Sequence, residues 1–242
     1  MNAKPSDTLL AAMLQEAVLA LVALVAVRFA VPDALKRCTQ SVQQRNTVRF
    51  AGITLLLTGL VGGAITILTW YFANSGNGAG FVSAVLPSAV DLMENLLLLL
   101  GICLLTGLYE ESFMRVLGIE AFERALDTKR AILASAALFA LLHVGAPDVS
   151  AGQLVLLQTA LKFGQALLFG VILGALYVRT RRLWPCAFIH AGFDVLYLAP
   201  NVLLTGMMPE TYASGAVGDT VLLAVSVLML SGIVLKIRKE IA

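Results

Sequence analysis

Seven stretches of this chain are each about as long as a bilayer is thick and nearly free of charge, and that leaves few folds open to it. A spanning helix needs about 20 mostly apolar residues. The stretches cover roughly 9–29, 50–72, 93–117, 131–146, 154–178, 183–204 and 217–237. The fourth is the shortest, and Pro87 reads as the first turn of the third helix. Hydrophobic residues make up 59% of the chain and charged residues 13%, against roughly a quarter charged in soluble domains. A soluble core cannot bury that much apolar surface, so the natural solvent is lipid. The expected fold is all-α: a polytopic membrane helix bundle of about seven transmembrane helices, eight being possible, in one integral membrane domain over residues 1–242. The first stretch is too long for a cleaved signal peptide and lacks a basic segment before it.

The loops give the bundle an orientation. Lys and Arg concentrate on the cytoplasmic side of membrane proteins. Alternate connections and the C-terminal end carry Lys36, Arg37, Arg45, Arg49, Arg124, Lys129, Arg130, Arg179, Arg181, Arg182, Lys236, Arg238 and Lys239. The opposite loops, "NSGNGAG", "GAPDVSAGQ" and "GMMPETYASG", carry no Lys or Arg, and Lys4 alone remains on that side. The N-terminus is therefore expected outside and the C-terminus in the cytoplasm, in a multi-pass protein of the cell membrane. There is no basic patch interleaved with aromatics, which argues against nucleic acid as a partner. Cys38, Cys103 and Cys186 form no CxxC pair, so neither a disulfide framework nor a thiolate metal site is read.

Ionisable groups inside a bilayer cost roughly 2.5–3.5 kcal/mol each on insertion scales, so each calls for a partner or a role. Within the spans they are Glu16, Glu94, Glu110, Glu111, Arg115, His143, Lys162, His190 and Asp194. Spacing sorts them. Glu111 and Arg115 in "EESFMR", Phe139 and His143 in "FALLH", and His190 and Asp194 in "HAGFD" are each four apart, hence on one helix face. With a rise of 1.5 Å per residue, Glu110, His143 and His190 lie about 12, 18 and 10 Å from the cytoplasmic ends of their helices. Three helices thus place polar chemistry in one band. A buried carboxylate beside a histidine can take a proton from water. A second imidazole and a polar side chain can donate to a developing oxyanion. Those are the parts amide hydrolysis requires. The same groups are ordinary Zn²⁺ ligands, so a zinc site is the alternative.

Blander readings stand beside these. Arg115 neutralises Glu111. Lys162, in "LQTALKFGQ" with Gln158 and Gln165 on nearby faces, pairs with an acid, lines a cleft or snorkels. Glu16 and Glu94 sit near the outer interface, solvated. Tyr177 and Trp184 suit an interfacial aromatic belt, and "GVILGAL" suits close helix packing. A transporter is a further alternative, but the inverted repeats and broken helices expected of one are missing. A non-catalytic scaffold would use the same residues to hold the bundle together.

The three patterns, in order and on separate spans, resemble EExxxR, FxxxH and HxxxN/D of the CPBP family: CAAX prenyl proteases and bacteriocin-processing enzymes, also called the Abi family. The resemblance covers about residues 105–200, within a motif-bearing core of about 87–204. It implies an intramembrane endopeptidase acting on a membrane-associated protein or peptide. By motif, Glu110 would activate water with help from His143, His190 and Asp194 would form the oxyanion side, and Glu111, Arg115 and Phe139 would shape the site. Asp194 stands where eukaryotic-type prenyl proteases resemble one another in having Asn. Family members are often labelled metalloproteases, but a glutamate-dependent site is favoured, with no metal or other cofactor and Zn²⁺ as the alternative. The short loops look bacterial. A non-catalytic immunity protein of the same fold is the competing expectation.

Overall fold

A computed structural model describes residues 5–39, 45–74, 87–144, 150, 152–209 and 213–237. Residues 75–86, 145–149, 151 and 210–212, within or beside the loops expected outside, lie outside the described residues, as do Lys4, Arg238 and Lys239. The described residues form α1 (Pro5–Ala30), α2 (Pro32–Thr39), α3 (Arg45–Asn74), α4 (Ala89–Glu111), a π-helical segment (Ser112–Ile119), α5 (Glu120–Phe122), α6 (Thr128–Val144), α7 (Gln153–Thr180), α8 (Leu183–Thr205) and α9 (Val217–Ile237). The polytopic all-α bundle expected from the apolar stretches is the observed architecture.

Among the described residues six helical stretches are long and apolar enough to cross a membrane: Asp7–Ala30, Thr47–Phe72, Ala89–Phe122, Gln153–Thr180, Leu183–Thr205 and Val217–Ile237. The expected seventh, α6, falls short. Its 17 residues rise about 26 Å against a hydrocarbon core of about 30 Å, and it opens on the polar triplet Thr128, Lys129 and Arg130. The third stretch begins differently too. Ser88 caps α4 by accepting from the Asp91 amide at 3.2 Å, so Pro87 precedes the cap instead of forming the first turn.

The helices divide by what surrounds them. In α7, 61% of the most apolar stretch is buried, against 17% in α1. Ile172, Leu173, Leu176 and Tyr177 of α7 are wholly enclosed, whereas Leu14, Val18 and Leu21 of α1 are mostly exposed. An outward apolar face of this kind is stable only against lipid. α7 is thus the inner helix, packed on α6 and α9, while α8 packs on α3 and α4, and α1 lies against α4.

Two glycines set the closest approaches. A Cβ added at Gly107 of α4 would fall 2.6 Å from the Ala187 carbonyl oxygen of α8, and one at Gly170 of α7 would fall 3.0 Å from Ala136 Cα of α6. Only the absence of a side chain lets these backbones meet, the small-residue packing common between membrane helices. Tyr177 departs from its expected place in an interfacial belt. It is fully buried and donates to Glu120 Oε1 at 3.0 Å. Trp184 is half-exposed and stacks on Phe188.

The end of α7 fastens the segment after α4. Arg181 takes a left-handed backbone (φ 51°) and reaches Glu123 at 2.7 and 2.9 Å and Glu120 at 3.1 Å. Those hydrogen bonds, Glu123 first, hold the guanidinium above its ordinary pKa.

Candidate active site

The two adjacent glutamates occupy the last turn of α4, just where the winding changes. From Ser112 to Ile119 the backbone closes π turns, a rare geometry that occurs often at functional sites. The Gly107 contact lies one turn before Glu111, so the close approach of α4 to α8 brings both carboxylates up to His190.

Glu111 and Arg115 are completely buried. Arg115 Nε donates to Glu111 Oε2 at 2.8 Å, and Nη2 to Oε1 at 3.4 Å. Its Nη1 donates to Ser135 Oγ of α6 at 3.2 Å, while Ser135 Oγ donates onward to the Met114 carbonyl at 2.5 Å. The guanidinium carbon lies 5.0 Å from the centre of the Phe139 ring, within cation–π range. Glu111 Oε1 also faces His190 Nδ1 at 2.9 Å. A buried charge pair is tolerable only when its remaining donors and acceptors are satisfied, and here they largely are.

Glu110 is placed otherwise. Its Oε2 is buried and makes no hydrogen bond among the described residues. Two imidazole nitrogens stand just beyond hydrogen-bonding reach of that oxygen: His190 Nε2 at 3.5 Å and His143 Nε2 at 3.8 Å. His143 Nδ1 lies 2.9 Å from the Phe139 carbonyl, an acceptor only, so Nδ1 carries the proton. In the neutral ring Nε2 then presents a lone pair toward Glu110. The Phe139 ring packs on His143 with centroids 4.2 Å apart, which fixes the imidazole further. Tyr109, Glu110, Met114, Phe139, Leu142 and His143 line a cleft of about 200 Å³.

His190 joins the two halves. Its Nδ1 faces Glu111, and its Nε2 faces both Glu110 and Asp194 Oδ2, the latter at 3.4 Å. The ring sits edge-on between Phe169 and Phe139. Glu110, Glu111, Arg115, Phe139, His143, His190 and Asp194 are therefore gathered into one cluster, drawn from α4, the π segment, α6 and α8.

With that geometry in place, the comparisons with known proteins become informative. Residues 92–196 match the family model described as type II CAAX prenyl endopeptidase, Rce1-like. That match supports a CAAX-protease family for this segment, and the apolar helices in and around it are those of a multi-pass membrane protein. No curated protein and no solved structure matches the chain. The matched segment contains the whole cluster; α1 to α3 and α9 lie outside it.

One residue departs from expectation. Glu16 of α1 is not solvated at an outer interface. Its Oε2 is buried without a partner, its carboxylate bonds to Thr106 of α4, and it lies within electrostatic reach of Asp194 and Glu110. Thr106 precedes Glu110 by one turn, so α1 brings a further acid beside the cluster. No spacing in the sequence relates residue 16 to residue 106. Glu94 is exposed, as read.

Among the described residues no three His, Cys, Asp or Glu side chains are arranged to hold a metal. Glu111 is committed to Arg115 and His190, and His143 Nδ1 to a carbonyl.

Proposed function

We propose that this chain is a CAAX-family protease that cleaves its substrate with a water activated by Glu110. The observation that supports the reading is the buried, unbonded Glu110 Oε2 with two imidazole nitrogens within 3.8 Å of it. A water bound there meets two acceptors, Glu110 Oε2 and His143 Nε2, and so gives a hydrogen bond to each. That turns its lone pair toward an incoming carbonyl. As the oxygen attacks the scissile carbonyl carbon, one proton passes to Glu110, the role of a general base. His190 Nε2, backed by Asp194, donates toward the oxyanion that forms. When the C–N bond breaks, Glu110 returns its proton to the leaving nitrogen. The products are a carboxylic acid and an amine, which leave as carboxylate and ammonium once the acid's proton has passed to the amine, with no metal step.

Glu111 and Arg115 touch neither water nor substrate in this scheme. They hold His190 Nδ1 and thereby the face that Nε2 presents. The substrate is a protein or peptide cut close to a hydrophobic or lipidated anchor. The membrane is a bacterial inner membrane, with the N-terminus outside and the cleft open toward the cytoplasm.

The test is cleavage of membrane-anchored peptides, prenylated CAAX peptides among them, by the purified chain in liposomes. Glu110→Gln is expected to lower kcat by a factor of about 10²–10⁴ without loss of thermal stability, and a chelator is expected to leave wild-type cleavage unchanged. Persistent cleavage by Glu110→Gln would remove Glu110 as the base. Chelator-sensitive cleavage restored by Zn²⁺ would replace the scheme with a metal one.

A further inference from the structure

The polar face of α7 takes no part in the chemistry above, yet it points at the same site. Gln158, Lys162 and Gln165 recur at the spacing of one helix face. Gln158 is fully used at the start of α9: its Nε2 donates to the Ala216 carbonyl and to Thr220 Oγ1 at 2.8 and 2.9 Å, and its Oε1 accepts from the Gly215 amide at 2.8 Å. Gln165 Nε2 donates to Ser226 Oγ of α9 at 2.8 Å. That bond decides which way the amide points, so Oε1 is the atom turned to Lys162, whose Nζ donates to it at 3.0 Å. The ammonium also lies 5.3 Å from the centre of the Tyr197 ring.

The packing of α7 against α8 says where this cation sits. Phe169 of α7 meets His190 and Phe193 of α8, with centroids 5.2 and 4.6 Å apart. Seven residues earlier on α7, Lys162 meets Tyr197, seven residues later on α8 than His190. The two helices run antiparallel in that register, which brings the ammonium to the turn that holds Asp194 and Tyr197. Lys162 and Asp194 accordingly act on each other electrostatically, and Lys162 also acts on His143 and Glu110. Around His190 there are three carboxylates, Glu110, Glu111 and Asp194. Arg115 is committed to Glu111 at 2.8 Å, and Lys162 is the cation on the other flank.

We propose that Lys162 is a positioning residue: its ammonium, fixed by Gln165 and the face of Tyr197, draws on the Asp194 carboxylate that flanks His190 Nε2, and so sets how far the Nε2 proton is left free for the reacting carbonyl. The proposal rests on the glutamate–water reading only in assigning His190 to the reaction. It makes Lys162 a counterpart of Arg115, one cation on each flank of the carboxylates that surround the same ring. It also ties α9, which lies outside the matched segment, to the site through Ser226 and Gln165.

A double-variant cycle on the full chain in detergent, read in two ways, decides the matter. The chain has 2 histidines, so ¹⁵N-histidine spectra are simple, and His143→Gln assigns them. Lys162→Met is expected to shift the His190 Nε2 resonance and Lys162→Arg to restore it. On an Asp194→Asn background, Lys162→Met should leave the His190 signals where Asp194→Asn alone puts them. The cleavage assay should follow the same pattern. Lys162→Met should lower kcat about tenfold with KM within about twofold, a coupling of ordinary size for groups in one polar network. Lys162→Arg should recover it, and the loss should vanish on the Asp194→Asn background. A His190 resonance indifferent to Lys162→Met, or equal effects in both backgrounds, would overturn the proposal. Absence of cleavage by the wild-type chain on every peptide would sink the proposed reaction and the catalytic half of this inference, while the His190 resonance would still decide the Lys162–Asp194–His190 coupling.

Discussion

Glu110 and Glu111 are neighbours in the chain and opposites in the fold. Glu111 is wholly enclosed, held by two nitrogens of Arg115 and one of His190. Glu110 opens on a cleft, and one of its buried oxygens has no hydrogen bond among the described residues. The first arrangement is what a buried charge needs in order to be tolerated. The second leaves an acceptor unsatisfied, which costs free energy and makes sense where a substrate or water is to be met. The comparison teaches that the two halves of the motif do different work. The Glu111–Arg115–Ser135 half ties the helices together, and in the proposed reaction the Glu110–His143 half is the one that gives up stability for reaction.

Four substitutions sharpen or break that division. The largest effect is expected at Arg115. Arg115→Met leaves Glu111 as an uncompensated buried charge, and the fold should lose about 3–5 kcal/mol. A chemical-denaturation midpoint in detergent measures it. Glu110→Gln under the same conditions should leave the midpoint unchanged or raise it. If the two variants are equally destabilised, the division is wrong. Next in size is His143→Gln, expected to lower kcat about 100-fold with no change in melting temperature, because the Phe139 carbonyl loses only a partly exposed partner. A fall in stability with no change in kcat would move His143 to the structural half. The smallest effect is expected at Ser135. Ser135→Ala removes one hydrogen bond to Arg115 and one to the Met114 carbonyl, about 1–3 kcal/mol for a buried donor left alone. Activity should persist in the fraction that folds.

Much of this was legible in the residues alone, for a definite reason. Charges are so expensive in lipid that each of the few present had to be explained, and a four-residue spacing ties Glu111 to Arg115 and His190 to Asp194 on sight. The same expense made the bundle readable from its apolar stretches. What escaped was whatever depends on a partner from a distant helix. Ser135 looks like any small residue of α6 until Arg115 reaches it across 20 positions. Tyr177 reads as an interfacial aromatic until Glu120 takes its hydroxyl. Glu16 reads as a solvated acid because nothing near it in the chain announces Thr106. The shortness of α6 was visible in outline, but a length count alone cannot say whether a 17-residue helix is completed by its neighbours.

The wide turn from Ser112 to Ile119 carries a consequence for how this chain can change length. A helix fixes the angle of each residue about its axis, so removing a residue between Glu111 and Arg115 would swing Arg115 away from Glu111 and Ser135. It would also unseat the Arg181 anchor, because Glu120 and Glu123 would turn with it. Long flexible loops in general grow or shrink at little cost, whereas the short α7–α8 connection is held by the Arg181 anchor. Insertions and deletions in this protein should therefore be spread very unevenly. They should be free in long loops and excluded from the eight residues where the spacing of the motif is also the pitch of the backbone.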